Sequence, residues 1–189
     1  IPVYLAAVGP RSLRLAGEIA DGWLGVFTPP DAVAKAVTEI RAGRESGRAG
    51  PDRLRGPAQP AGVGRGRRAH RGDALRGQYV YLLGIGDPAH NFYCALAREM
   101  GYAEEIEVFL GRLADGDRAG AAAALPLDFI DRTSLAGPVP RLADRMRAYA
   151  EAGVTTLGVM VSAAATTLDG RLGILHAAAE ALKASGVAD

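Results

Sequence analysis

Apolar and polar positions near the N-terminus alternate between short apolar runs and segments with helical spacing. Ile1–Ala7 is an apolar run that stops at Gly9-Pro10, which predicts a short buried strand. A helix is predicted from Pro10, because proline suits a first helical turn and an apolar stripe follows it. Trp23–Phe27 predicts a second strand, and the next helix begins after Thr28-Pro29-Pro30-Asp31. The two helical stripes consist of Leu13, Ala16, Gly17 and Ala20, and of Val33, Ala36, Val37 and Ile40.

The same order of elements returns near the C-terminus. Thr133–Ala136 predicts a strand that ends at Gly137-Pro138, and Pro140–Ala152 predicts a helix capped by Gly153. Thr155–Ser162 is β-branched and apolar and predicts a strand, and Leu172–Lys183 predicts a closing amphipathic helix. Short connections favour parallel βα units over hairpins, so the pattern predicts four such units, two at each end.

Residues 74–125, between these pairs of units, predict a helical insertion. Helices are expected over Ala74–Leu83, Asn91–Gly101, Ala103–Ala114 and Arg118–Leu125.

Residues 53–72 form a separate segment that lacks hydrophobic periodicity. It contains six arginines and no acidic residue. It fits an arginine- and glycine-rich arm that binds nucleic acid, a flexible loop, or a translated frameshift of GC-rich DNA. We favour the frameshift over the arm, because sliding Gly66–Arg71 by one base permits Gly-Asp-Asp-Val, an ordinary passage between a strand and a helix. The nucleotide sequence through this segment tests that interpretation.

Composition narrows the function classes. The 189 residues are 49% hydrophobic, with one cysteine and three scattered histidines, which excludes an internal disulfide framework and predicts no metal site. The net charge of +1 becomes mildly acidic without residues 53–72, so we expect no nucleic-acid partner. The sequence has neither a long apolar run nor a signal peptide, which predicts a cytoplasmic protein without membrane contact. Because Ile1 already lies in a strand-like run, we expect the chain to be part of something longer.

Four segments, in order, resemble one enzyme family. They are IPVYLAAVGPRSLRLAGEIADGWL at the N-terminus, NFYCALAREMGY from Asn91, PLDFIDRTSLAGPVPRLADRM from Pro126 and EAGVTTLGVMV from Glu151. This set is similar to luciferase-like monooxygenases, specifically to the coenzyme F420-dependent oxidoreductases that include methylenetetrahydromethanopterin reductase. The resemblance implies an α/β fold: the C-terminal half of a TIM (β/α)8 barrel, strands five to eight, with a helical insertion. A chain of this length is too short to close such a barrel, which takes about 250 residues.

The resemblance also implies a cofactor site. Ala7, Val8, Gly9, Pro10, Arg11 and Ser12 are predicted to contact the deazaflavin cofactor and its phosphate side, at the end of the first strand. A plain strand end with a solvated Arg11 is the alternative. Phe27 and Thr28 are candidates to line the pocket, although a core phenylalanine is commoner.

No general base is predicted in this chain. Glu18, Asp21 and Asp128 each fit solvated carboxylates, Asp21 fits a turn, and Arg141 fits an exposed helix residue. In the family, the acid–base groups lie mainly in the first half of the barrel.

The functional prediction is a fragment of an F420-dependent oxidoreductase. It would transfer a hydride between coenzyme F420 and a small-molecule substrate, and form a homodimer when full length. The alternatives are an FMN-dependent monooxygenase of the same fold and a non-catalytic remnant or pairing subunit.

Overall fold

The computed structural model describes residues 1–47, 68–162 and 164–187, with only the helical backbone over 68–74. These residues belong to two compact units. The first unit contains residues 1–47, 139–159 and 178–187, and the second contains 68–138, 160–162 and 164–177. The elements, in chain order, are β1 (Tyr4–Ala6), α1 (Pro10–Ile19), β2 (Gly22–Leu24), α2 (Pro30–Ser46), α3 (Arg68–Gly84), α4 (Phe92–Glu99), α5 (Ala103–Ala114), α6 (Arg118–Ala124), α7 (Leu127–Thr133), α8 (Val139–Glu151) and α9 (Leu168–Ser185).

The first unit begins with the predicted βα units. β1 and β2 pair in parallel, with Tyr4 opposite Gly22 and Ala6 opposite Leu24. Asp21 fixes the start of this pairing, because its Oδ2 accepts a 2.8 Å hydrogen bond from the Val3 amide while its own amide donates to the Val3 carbonyl. The carboxyl ends of both strands therefore lie at the same edge of the sheet.

Helices α1 and α2 pack closely through two glycines. A Cβ on Gly17 would overlap the carbonyl oxygen of Ile40, and a Cβ on Gly43 would overlap the carbonyl oxygen of Arg14. Arg14 and Glu39 form an ion pair of 2.7 Å across the same helix pair. The predicted stripes are the buried faces: Leu13, Ala16, Gly17 and Ala20, and Val33, Ala36, Val37 and Ile40.

The second unit contains α3 to α7. Asn91 joins α3 to α4, since its Oδ1 accepts from the amides of Tyr93 and Cys94 while its Nδ2 donates to the carbonyls of Leu82, Leu83 and Ile85. Arg76 donates to the carbonyls of Ala122 and Leu125 at the end of α6. Helices thus occur where the sequence predicts them between residues 74 and 125, with α3 starting six residues earlier.

Two predicted strands are wrong. Thr133 ends α7, so the helix that starts at Leu127 takes the first predicted strand residue, and Ala136 forms only an isolated bridge. The hydroxyls of Thr133 and Ser134 donate back to the carbonyls of Phe129 and Ile130, four residues earlier. Thr155–Ser162 forms no strand either, with an isolated bridge at Val159 alone. A β-branched run forms a strand only where a neighbouring strand pairs along its length, and the described sheet consists of β1 and β2.

The second strand is shorter than predicted. The apolar run predicts a strand over Trp23–Phe27, whereas β2 ends at Leu24 and the backbone has left the extended conformation by Phe27, whose φ is 54°. Of the segment 53–72, residues 53–67 lie outside the described residues, and the backbone of 68–72 belongs to α3. Among the described helices, none is long and apolar enough to cross a membrane.

Candidate functional site

The turn from Ala7 to Ser12, here called the α1 turn, joins the carboxyl end of β1 to the N-terminus of α1. Ala7 is buried, whereas Val8 to Ser12 are exposed. Gly9 is the N-cap residue in an extended conformation, and Pro10 occupies the first helical turn. The Gly9 carbonyl accepts hydrogen bonds of 2.9 Å from the Ser12 hydroxyl and the Leu13 amide. The six predicted residues therefore lie in one turn, and all of them except Ala7 are exposed.

The N-terminus of α1 has amides to offer a ligand. The first N–H groups of a helix have no partner within the helix, and no side chain caps this one. Pro10 has no N–H, so Arg11 and Ser12 carry the first amides of the helix. Arg11 is also an exposed residue of this turn, and its positive charge together with these amides suits an anionic oxygen such as that of a phosphate.

Gly9 is not required by the packing of the protein itself. Its φ of −78° is open to any residue, and a Cβ there would meet only the Ser12 hydroxyl, at 3.9 Å. By contrast, the buried glycines between α1 and α2 have no room for a side chain. The open space above Gly9 fits a group that approaches the backbone closely, as a bound phosphate does.

The carboxyl end of β2 forms a second part of the same edge. Phe27 has a φ of 54°, the one positive value at a non-glycine residue among those described, and its side chain is 7% exposed. A bulky residue in the left-handed region is strained, and such strain concentrates at functional sites. Thr28 is buried beside it and donates to the Val26 carbonyl at 3.0 Å. The burial of Phe27 agrees with the prediction that it is a core residue. Its strained backbone could not be predicted, because no pattern in the sequence indicates a left-handed conformation at this position.

Trp23 connects the two strand ends. Its Nε1 donates a buried 2.8 Å hydrogen bond to the Ala7 carbonyl. The carbonyl of Ala7 is therefore held inside the protein, and the backbone that the α1 turn offers to solvent begins at Val8. The sequence did not single out Trp23 as a site residue, since an indole in a short apolar run is typical of a core.

The other candidate residues have structural contacts. Asp21 accepts a hydrogen bond from the Val3 amide, which is a structural role typical of a turn residue. Glu18 is partly exposed on α1. Asp128 accepts a 2.5 Å hydrogen bond from the Tyr102 hydroxyl, and Arg141 is partly exposed on α8. In the described part of the chain, no three His, Cys, Asp or Glu side chains come together to hold a metal ion.

A cavity of about 440 Å³ lies elsewhere in the first unit and is called the α8–α9 cleft. Residues of α8, of 154–159 and of the end of α9 line it, among them Met146, Tyr149, Val154, Leu157, Leu182 and Val187. Burial raises the pKa of the Tyr149 phenol, while the charge of Arg145 acts in the opposite direction. The lining includes neither the α1 turn nor Phe27, so the cleft is a feature separate from the predicted site.

Comparisons with known proteins identify relatives of the chain. A family model described as luciferase-like monooxygenase matches residues 1–156. A Mycobacterium tuberculosis protein, whose name describes it as a candidate coenzyme F420-dependent oxidoreductase, is 26% identical over 174 residues, or 89% of this chain and 50% of that protein.

Two solved structures share the fold. The coenzyme F420-dependent tetrahydromethanopterin reductase from Methanopyrus kandleri matches with a TM-score of 0.70 and 24% identity, over 93% of this chain and 49% of that one. An F420-dependent secondary alcohol dehydrogenase in complex with an F420-acetone adduct matches with a TM-score of 0.64 and 14% identity, over 94% and 49%. The chain spans about half the length of these relatives. Its α/β fold therefore corresponds to about half of the TIM-barrel fold of the two solved structures.

The family model covers 156 of the 189 residues, including the two described strands and the α1 turn. The chain belongs to the luciferase-like monooxygenase family.

Proposed function

We propose that the chain is part of an F420-dependent oxidoreductase and that the α1 turn holds the cofactor. The M. tuberculosis relative and the two solved structures carry F420 in their names, which supports this cofactor over FMN. The observation that carries the proposal is the uncapped N-terminus of α1 at the carboxyl end of β1, with open space above Gly9. In barrel enzymes, substrates and cofactors bind at this end of the strands.

The residues of the α1 turn have distinct roles in this proposal. Val8 and Gly9 let the cofactor approach the backbone, the amides of Arg11 and Ser12 donate to a phosphate oxygen, and the Arg11 guanidinium adds a positive charge. Pro10 fixes the first turn so that these amides are already oriented before binding. The hydrogen bond from Trp23 to Ala7 holds the base of the turn.

When bound, coenzyme F420 supplies a deazaflavin C5 that gives or accepts a hydride. The chain's contribution is binding, orientation and exclusion of water around that carbon. The α1 turn contains no carboxylate or histidine, so we propose that acid–base groups come from the part of the fold that this chain does not span. Loops of this chain and of the part of the fold that it does not span would together determine which small-molecule substrate binds. The predicted location of the protein is the cytoplasm.

Cofactor titration tests the proposal. The purified chain is titrated with F420 and, in parallel, with FMN, while the emission of its single tryptophan is followed. Because Trp23 contacts the base of the α1 turn, saturable quenching by F420 that is weaker with FMN is the expected result. Tight FMN binding without a response to F420 would contradict the proposal.

A further inference from the structure

The turn that follows β2, residues 25–30, is a neighbour of the α1 turn and is called the β2 turn. Because β1 and β2 pair in parallel, their carboxyl ends lie one strand spacing apart, about 4.8 Å. The Trp23 indole, which donates to the Ala7 carbonyl, ties the two ends together. A molecule longer than one strand spacing that binds at the α1 turn therefore also reaches the β2 turn.

The two turns differ in charge and in hydrogen-bond donors. The first turn of α1 carries Arg11 and no acidic residue, whereas the first turn of α2 carries Asp31. Pro29 and Pro30, at the start of α2, have no N–H. The start of α2 therefore offers an anion fewer amides and less positive charge than the start of α1 does.

The side chains of the β2 turn are apolar or bonded within the turn. Phe27 and Pro29 are buried. Val26 and Pro30 are partly exposed. The hydroxyl of Thr28 donates to the Val26 carbonyl at 3.0 Å. What this turn offers a ligand is therefore apolar surface.

Phe27 gives the β2 turn a fixed shape. A bulky residue keeps a φ of 54° only where its surroundings hold it there. The residue is 7% exposed, so its ring is packed inside the protein. A turn that is already ordered loses less conformational entropy when a ligand binds, and a rigid apolar surface suits a flat aromatic ring.

We infer that the β2 turn holds the deazaflavin ring of F420 while the α1 turn holds its phosphate, an inference that rests on the proposed function. The charge difference between the two turns then sets the direction in which the cofactor lies. Its anionic part meets Arg11 and the first amides of α1, and its ring meets Val26. The reverse orientation would place the phosphate at the turn that carries Asp31. The inference adds Val26 to the site.

Titration with two ligands tests this assignment. One is F420, and the other is its phosphate-free deazaflavin, which keeps the ring and the ribityl chain; the emission of Trp23 is followed for both. Arg11→Gln should weaken F420 binding about tenfold more than binding of the phosphate-free compound, because it removes a charge that the phosphate meets. Val26→Asp should weaken both ligands by about tenfold, because it places a carboxylate against the ring.

The matched control is Val108→Asp, the same change at an exposed residue of α5, which should bind both ligands as the parent does. If Val26→Asp loses its native circular dichroism, the uncharged Val26→Asn replaces it, with an expected loss of about threefold for the phosphate-free compound. Parent-like affinity of the Val26 variant for that compound, with F420 binding still sensitive to Arg11→Gln, would overturn this inference alone. A parent chain that binds neither ligand would contradict the proposed function, and the inference with it.

Discussion

The indole Nε1 of Trp23 donates a 2.8 Å hydrogen bond to the carbonyl oxygen of Ala7 in the interior of the first unit. This bond crosses from β2 to the residue that follows β1, and so it fixes the start of the α1 turn relative to its neighbouring strand. The rigidity of the proposed cofactor site therefore depends on a residue that need not touch the cofactor.

Replacing Trp23 with phenylalanine should destabilise the protein. The change leaves the buried Ala7 carbonyl without its donor, at a cost of about 1–3 kcal/mol, and the smaller ring adds a packing loss. Urea unfolding followed by circular dichroism measures the change in the free energy of unfolding. Tyr4→Phe, on an exposed side chain, is the control and should change that free energy by less than about 0.5 kcal/mol.

Replacing Gly9 with valine should weaken F420 binding without unfolding the protein. Any residue can adopt the backbone conformation of Gly9, and a Cβ has room there. The midpoint of thermal unfolding should therefore stay the same as that of the parent. The side chain would instead fill the space that we assign to the cofactor, and an affinity loss of about tenfold or more corresponds to about 1.4 kcal/mol. Tryptophan quenching gives the affinity. Gly111→Val, at an open position on α5, is the matched control. Equal affinities of the parent and Gly9→Val for F420 would support the alternative that the α1 turn is a plain strand end without a cofactor.

The sequence predicts the start of the chain better than its end. The apolar stripe of α1 and the Gly-Pro break reflect local rules, so β1, α1, β2 and α2 occur in the predicted order. Thr155–Ser162 also satisfies a local rule, but a strand needs a neighbour, which no local pattern supplies. The position of the α1 turn follows from the Gly-Pro break, whereas the left-handed backbone of Phe27 has no local cause that a sequence shows.

Gly17→Ala should be strongly destabilising. Its Cβ would overlap the Ile40 carbonyl, so α1 and α2 must move apart, at a cost of about 1–3 kcal/mol or more. Gly77→Ala in α3 is the matched control, since nothing lies near its Cβ, and it should stabilise the helix by about 0.5–1 kcal/mol. Thermal unfolding of both variants provides the comparison. Equal midpoints would show that α1 and α2 are not in close contact.

Asn91→Ala should loosen the junction of α3 and α4. The change removes the cap of α4 and takes one donor from each of three carbonyls, of which that of Leu83 keeps the Cys94 thiol, so we expect a loss of about 1–3 kcal/mol. Asn91→Asp separates the two effects, because it keeps the cap acceptor but places a carboxylate beside those carbonyls. Hydrogen exchange of α4 amides should quicken in Asn91→Ala. An Asn91→Asp variant as stable as the parent would show that the amide donors contribute little.

Tyr149 should make the protein sensitive to alkaline pH. Burial raises its pKa above the ordinary value of 10.0, despite the opposing charge of Arg145. The unfolded chain loses the phenol proton at a lower pH than the folded one, so this contribution is fully present below pH 10 and is lost as pH rises through the folded pKa. Tyr149→Phe should therefore flatten the fall of stability above pH 10, measured by urea unfolding at successive pH values. Parallel curves for parent and variant would contradict the role of Tyr149.

Arg44 reaches from α2 to the Ala20 carbonyl, where its Nη2 donates a 3.1 Å hydrogen bond at the end of α1. One of the terminal carbonyls of α1 is therefore satisfied by a different helix, and only once both helices are formed and docked. If either helix frays at that end, the hydrogen bond between Arg44 and Ala20 is lost. α1, β2 and α2 should accordingly open and close as a single cooperative unit, so the surface that carries the proposed cofactor turn is gained or lost as a whole.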